Sequence, residues 1–514
     1  MTDADSVAAS TSCDLSEPVT IHSGPIVGEV LDSSIGLQVF RGIPYAAPPV
    51  GDLRWRPPCD VEPWSEVREC VRFGAVCPQP ETMEYLIGDK LPAQDEDCLF
   101  LNVWTTNAGG EAKLPVMVWI HGGGFAKGWS DQSAYEGSAF AKRGVVLVTI
   151  NYRLGALGFL AHPALSAESD RNVSGNYGFL DQIAALKWVQ ENIAALGGDA
   201  DNVTVFGESA GGSSVEALCV SPLAKGLFHR AIAQSPAGSF YAYLKQPSSG
   251  HPSAEARGES WASQFDEVDP ENPLASLREI SPDRILEKSE ANQPLAVIDD
   301  WFMPDYPANL FAQGKQHDVP MVVGTNSDEG SIFVQYYPYK TVEQYRQGME
   351  KKYGAFAEEI LALYPVSSDE DIPGALNPFM TDTVFVRGAT DILRGMAKVS
   401  SRAFQYYFTR GGSLHPEWGA FHSAEMCYVF NTLHPDAEKS DDPQLADAMI
   451  QYWVQFAKTG DPNGEGLPEW PEFVIDSAQY LELGEAIKIG SGLRHEVLEV
   501  LDRIGKSAQL PSRK

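Results

Sequence analysis

Gly207-Glu208-Ser209-Ala210-Gly211 follows the apolar run Val203 to Phe206 directly and opens onto a helix-forming stretch. A bare G-x-S-x-G is a weak signal, because Gly and Ser are common in turns. Between a strand and a helix it gains meaning: flanking glycines let two backbones pass closely, and a strained turn lifts the serine hydroxyl clear of a sheet. A hydroxyl so placed is a nucleophile in search of a base and an orienting acid. An earlier apolar run, Val116 to Ile120, ends in His121-Gly122-Gly123-Gly124. Side-chain-free residues there can aim backbone N–H groups at the oxyanion of an acyl transition state. A phosphate cradle is the competing reading, but neither G-x-G-x-x-G nor G-x-x-x-x-G-K-[ST] occurs. Beyond Ser209 the acid is expected in a loop after a strand, and Asp328-Glu329-Gly330 follows Val319 to Gly324. Adjacent carboxylates cannot be separated by periodicity, so both stay open at this point. Four histidines come later: His415, His422, His434 and His495. His495 falls on a polar helix, and His415 and His434 each precede a proline in a loop. Order and setting favour His422, ahead of the apolar run Met426 to Phe430.

These residues need a rigid frame. Val19 to Ile21, Ile26 to Val30 and Leu37 to Phe40 read as short strands broken by Gly and Ser turns. Val116 to Ile120, Val145 to Ile150, Val203 to Phe206, Arg230 to Gln234, Val319 to Gly324 and Ala403 to Phe408 read as further strands, several of them continuously apolar. A helix is expected from about Asp181 to Gly197, since Ile183, Leu186, Val189, Ile193 and Leu196 form a stripe roughly 140° wide at 100° per residue. Further helices are expected from Ala210, over Asp442 to Lys458 and over Arg494 to Ile504. Continuous apolar strands alternating with amphipathic helices imply a large, mostly parallel sheet covered on both faces. Residues 240–315 and 330–400, richer in Pro, charge and helix formers, read as helical excursions over the site. The expectation is one α/β domain over 18–510, with 1–17 a flexible tail.

The 514 residues carry 38 Lys+Arg against 70 Asp+Glu, a net charge of −32. That excess argues against nucleic acid, whose phosphates require clustered cations, and against an anionic membrane surface. With 43% hydrophobic residues the chain can build a sizeable core. No run approaches the ~18 apolar residues of a membrane span, and Asp3 and Asp5 stand where a signal peptide carries positive charge. A soluble protein is expected. The missing signal pattern points to the cytoplasm, whereas Cys59, Cys70, Cys77 and Cys98, crowded into forty residues, point to an oxidising compartment. Without C-x-x-C or H-E-x-x-H, a metal site has no support.

Several stretches together resemble the type B carboxylesterases, the α/β-hydrolase family that includes cholinesterases and bacterial p-nitrobenzyl esterases. They are Phe40 to Ala46 with Pro48 to Gly51, Glu96 to Trp104, Gly175 to Gly178 with Asp181-Gln182, Phe206 to Gly212, and Phe456 to Gly464. The resemblance implies the α/β-hydrolase fold, with Ser209 as nucleophile, Glu329 rather than Asp328 as acid, His422 as base, and oxyanion donors on Gly123, Gly124 and Ala210. It also implies a Cys77–Cys98 disulfide and the structural charge pairs Arg54–Glu96 and Arg153–Asp181. The implied activity is hydrolysis of small-molecule esters through an acyl-enzyme, on short to medium acyl chains and bulky alcohols, without cofactor or metal, by a monomer or weak homo-oligomer. A residue larger than glycine at Gly123 is then expected to harm bulky esters first. An interfacial lipase and a non-catalytic cholinesterase-like binding protein are the alternatives, the second disfavoured because all three catalytic positions are filled. Pro78 to Asp97 lacks the tryptophan with which cholinesterases bind a quaternary ammonium; its only aromatic is Tyr85, among the acids Glu81, Glu84, Asp89, Asp95, Glu96 and Asp97. Acetylcholine is therefore expected to be a poor substrate.

Overall fold

The computed structural model describes residues 13–80, 88–238, 241–248, 251–288, 296–411, 415–433 and 442–509. An 11-stranded sheet forms its centre. From edge to edge the strands are Ile487–Ser491, Gln479–Leu483, Ala403–Phe408, Met321–Asn326, Arg230–Gln234, Gly198–Glu208, Leu114–Ile120, Val146–Ile150, Phe100–Thr105, Leu37–Pro44 and Glu29–Asp32. The seven from Gln479–Leu483 to Val146–Ile150 run parallel, and antiparallel pairing is confined to the two ends.

Period-2 alternation builds a core on each face. Val116, Val118 and Ile120 join Ile183, Leu186 and Val189 in one apolar cluster, while Met117 and Trp119 of the same strand join Met449, Ile450 and Trp453 in the other. Val146–Ile150 is buried at every residue, which explains a run that is apolar but for Thr149, whose hydroxyl accepts from Asn102 Nδ2 at 3.0 Å. In the second core the Trp119 ring lies 4.8 Å from Phe206 and 5.1 Å from Phe430. Phe206 stands three residues before Ser209 and Phe430 eight residues after His422, so this aromatic packing ties together the segments that carry both.

The helix expected from Asp181 begins earlier, at Tyr177, and ends in a tighter 3-10 turn over Ile193–Leu196. Gly197 at φ 81° closes it in the left-handed conformation that glycine adopts without strain. The run Ile26 to Val30 is two strands, Gly24–Val27 and Glu29–Asp32, assigned to different sheets. Residues 13–17, expected to belong to a flexible tail, are tied to the strand after them. Val30 N–H donates to the Asp14 carbonyl at 2.8 Å, Ser16 N–H donates to Gly28 at 2.9 Å, and Ser16 is buried; residues 1–12 lie outside the described ones. Between Arg230–Gln234 and Met321–Asn326 come several short helices and a small parallel pair, Tyr241–Tyr243 with Ala296–Ile298. Between Met321–Asn326 and Ala403–Phe408 come the helices Val342–Tyr353, Ala357–Leu363, Ile372–Met380 and Arg387–Met396. Pro378 sits inside the third of these, and the chain then widens into a π-helical turn over Thr381–Val386. Such turns re-aim side chains and often mark functional positions. Among the described residues no helix is long and apolar enough to cross a membrane.

Both charge pairs form. Arg153 Nε lies 2.8 Å from Asp181 Oδ2 with both residues buried, and Arg54 Nε lies 2.7 Å from Glu96 Oε2. Cys77 and Cys98 are disulfide-bonded, with Cα atoms 5.1 Å apart and a separation of 21 positions in sequence. Closing such a loop restricts the unfolded chain and stabilises the fold by about 3 kcal/mol. Thiol titration of the denatured, unreduced protein is expected to count five of the seven cysteines, Cys13, Cys59, Cys70, Cys219 and Cys427. A count of seven would refute the bond.

Candidate active site

Ser209 sits at φ 58°, ψ −120°, between the strand Gly198–Glu208 and the helix Ala210–Val220. Two neighbours make that turn sterically feasible. A Cβ on Gly211 would lie 2.0 Å from the Ile120 carbonyl oxygen, and one on Gly207 would lie 2.6 Å from the Gly211 carbonyl. Neither position can hold a side chain, so the spacing of the motif follows from backbone contact. The Ser209 N–H is tied to the Gln234 carbonyl at 2.9 Å on the adjacent strand.

His422 Nε2 lies 2.7 Å from Ser209 Oγ, and its Nδ1 lies 2.6 Å from Glu329 Oε2. Glu329 is fully buried, and its other oxygen accepts from Ser235 Oγ at 2.6 Å and Asn326 N–H at 2.7 Å. Asp328, the alternative acid, turns elsewhere: it accepts from Asn377 Nδ2 at 3.0 Å, Ser327 Oγ at 2.6 Å and Ala420 N–H at 3.2 Å. Of the other histidines, His415 stacks on Trp418 at 4.0 Å and His495 is exposed beside Glu499, while His434 lies outside the described residues.

The glycine loop lies against this cluster. A Cβ on Gly122 would come within 3.0 Å of the Ser209 Cβ and 2.9 Å of Glu208 Oε2, so only glycine lets the loop approach the serine turn. His121 braces it from below. Its ring stacks on Tyr152 at 4.4 Å, Tyr152 Oη donates to the His121 carbonyl at 2.9 Å, and burial pushes the imidazole pKa down to about 4. Among the described residues the N–H groups of Gly123, Gly124 and Ala210 have no hydrogen-bond partner, as donors kept for a substrate oxygen require. The two glycines differ, and this revises the expectation for Gly123. A Cβ there would lie 2.2 Å from the Lys127 carbonyl oxygen at φ 110°, deforming the loop itself, whereas one on Gly124 meets nothing within 4 Å and costs only the strain of a side chain at φ 63°.

Two further carboxylates surround the imidazole, and sequence reasoning did not single them out. Glu208 places Oε1 3.3 Å from His422 Nε2. Fully buried Glu425 accepts from Gln234 Nε2 at 3.1 Å and Asn326 Nδ2 at 2.7 Å. The available signal was an acid closing an apolar strand at Glu208, and another three residues after His422. Burial lifts Glu208 well above the ordinary carboxylate range, with His422 opposing the shift; burial and the Glu329 charge lift Glu425. At His422 burial acts downward, but the charges of Glu208 and Glu329 outweigh it and carry the pKa above the usual histidine value. The rings of Phe333 and Phe385, 5.2 and 4.7 Å away, cover the imidazole, Phe385 being delivered by the π-helical turn.

The fold agrees with what the chain matches. Residues 16–501 fit the model of the carboxylesterase family, and the chain belongs to that family. It is a carboxylic ester hydrolase with an α/β-hydrolase fold. Among its relatives are the fumonisin B1 esterase of Sphingopyxis macrogoltabida, 38% identical over 89% of this chain and 85% of that protein, and the para-nitrobenzyl esterase of Bacillus subtilis (strain 168), 37% identical over 92% and 95%. The cocaine esterase of Homo sapiens is 34% identical over 95% and 91%. A solved PNB esterase structure superposes with a TM-score of 0.80 at 34% identity, over 94% of this chain and 99% of the other.

Proposed function

We propose that the protein is a serine carboxylesterase working through an acyl-enzyme, with Ser209 as nucleophile, His422 as general base and Glu329 as orienting acid. The observation that carries this reading is the continuous contact from Ser209 Oγ to His422 Nε2 and from Nδ1 to Glu329, at 2.7 and 2.6 Å. His422 takes the Ser209 proton as Oγ attacks the ester carbonyl, while Glu329 holds the tautomer whose Nε2 lone pair faces the serine. The N–H groups of Gly123, Gly124 and Ala210 receive the oxyanion. The alkoxide departs with the proton from His422, and water repeats the sequence on the acyl-enzyme. Residues 18–510 act as one catalytic unit in this reading, because Phe333 and Phe385 of the second excursion wall the base. Treatment with an organophosphate is expected to abolish hydrolysis of p-nitrophenyl butyrate and to leave a single phosphoryl adduct on the peptide containing Ser209. An adduct elsewhere rejects the assignment.

Relatives named for fumonisin B1, para-nitrobenzyl and cocaine esters are too unlike to select one substrate. Short to medium acyl chains on bulky alcohols suit the open space beside Gly124. Part of the loop that lacks the ammonium-binding tryptophan, including Glu81, Glu84 and Tyr85, lies outside the described residues, so the low activity expected on acetylcholine rests on sequence. Gly124→Ala is expected to slow tertiary-alcohol esters at least tenfold more than p-nitrophenyl acetate, since a misplaced methyl group in a pocket discriminates by about 10- to 200-fold. Gly123→Ala is expected to slow both alike. Parallel kcat/KM measurements check this, and no turnover of any tertiary ester by the unaltered protein would refute it.

A further inference from the structure

Ser423, next to His422, has φ 75°, a left-handed conformation that side-chain-bearing residues rarely adopt. Its hydroxyl donates to Glu208 Oε1 at 2.7 Å, and that same oxygen lies 3.3 Å from His422 Nε2. The strained backbone therefore coincides with the contact that places a buried carboxylate at the working nitrogen of the base. We infer that Ser423 is a positioning residue: its hydroxyl anchors Glu208 against the Nε2 side of His422, so that a negative charge faces the ring as it takes the proton from Ser209. The inference rests on the triad roles proposed above.

The consequence differs between the two states of the ring. While His422 is neutral, its Nε2 lone pair accepts from Ser209 Oγ and gains nothing from a carboxylate. Once the proton has moved from Oγ to Nε2, the imidazolium has Glu329 at one nitrogen and Glu208 at the other. The proton then leaves with the alcohol, and Glu208 remains an acceptor throughout. The charge thus acts chiefly where positive charge develops, which accelerates the reaction rather than tightening substrate binding. The groups that bear on the pair are few. Glu329 and Glu425 face His422 from the loop after Met321–Asn326 and from its own segment, and both also act on Glu208, as do the phenols of Tyr135 and Tyr406. Phe333 and Phe385 cover the ring without charge. Against the burial of Glu208, the Ser423 hydroxyl favours its ionised form.

The test is the pH profile of kcat/KM on p-nitrophenyl butyrate for the wild type, Ser423→Gly, Ser423→Ala, Glu208→Gln and the double variant Ser423→Gly/Glu208→Gln. Ser423→Gly relieves the backbone strain and Ser423→Ala keeps it, so a hydroxyl effect must appear in both. Each is expected to lose about tenfold in kcat on the alkaline plateau with KM little changed, as loss of one hydrogen bond to a charged group implies. The acid limb is expected to move about one unit to lower pH, because the imidazolium loses its stabilising neighbour, so the deficit shrinks as the pH falls. Glu208→Gln is expected to shift the limb in the same direction, with Ser423→Gly adding little to it. An unchanged rate and limb in Ser423→Gly, a loss confined to Ser423→Ala, or full additivity in the double variant overturns the inference while the triad stands. A wild type without an acid limb, or a Ser209→Ala variant that keeps turnover, overturns both.

Discussion

Ser209→Ala is expected to lower the turnover of p-nitrophenyl butyrate by about 10⁶, because the nucleophile and its base act as a unit and neither does much alone. The residual rate should stay above that of the uncatalysed reaction, since the oxyanion donors on Gly123, Gly124 and Ala210 survive the change. Folding should be nearly untouched. Alanine must adopt the same strained turn at φ 58°, and the N–H to the Gln234 carbonyl is retained. The measurement is active-site-normalised kcat together with a thermal melt. Wild-type turnover in the variant would remove Ser209 from the mechanism.

Glu329→Gln is expected to lower turnover by about 10⁴, with little loss of stability. The hydrogen bonds around the carboxylate explain the size of this effect. One oxygen accepts from Ser235 Oγ and Asn326 N–H, and the other meets His422 Nδ1. The single amide oxygen of glutamine can satisfy Ser235 and Asn326 only by turning its NH₂ toward His422. Nδ1 must then act as acceptor, which moves the ring proton to Nε2, where it can no longer receive the proton of Ser209. Asp328→Asn should change turnover by less than about tenfold, because Asp328 bonds Asn377, Ser327 and Ala420 and does not reach the imidazole. Its cost should appear in stability, about 1 kcal/mol for a weakened hydrogen bond. Kinetics and melting of the two variants side by side decide the matter, and the reverse order of effects would move the acid to Asp328.

Much of this was legible before any tertiary structure, because parts of the site obey local rules. A G-x-S-x-G between an apolar strand and a helix requires close backbone contact, and Gly211 against Ile120 shows why glycine is demanded there. Unbroken apolar runs such as Val116–Ile120 announce a parallel sheet buried on both faces. The helix stripe from Ile183 to Leu196 is local in the same way, although the helix begins a turn before Asp181, at Tyr177.

Other features were decided only in three dimensions. Asp328 and Glu329 are chemically similar neighbours, and the choice between them follows from which side chain the fold turns inward, to Ser235 and Asn326. His422 meets Ser209 across 213 residues of sequence, a separation that neither periodicity nor propensity encodes. The contrast between Gly123 and Gly124 depends on the returning carbonyl of Lys127, so a string of identical letters concealed two different environments. Glu208, Glu425 and Ser423 escaped notice because a charged or polar residue in a sequence is by default a solvated one. Their importance comes from being buried around one imidazole, where carboxylates shift its proton affinity far more than they could in water. The sequence by itself determined six of the seven parallel strands at the centre of the sheet, the serine turn and the set of groups available for catalysis, but not the strands Phe100–Thr105, Gln479–Leu483 and Ile487–Ser491. Tertiary structure decided which of those groups meet and in what dielectric, because that depends on contacts between segments far apart in the chain.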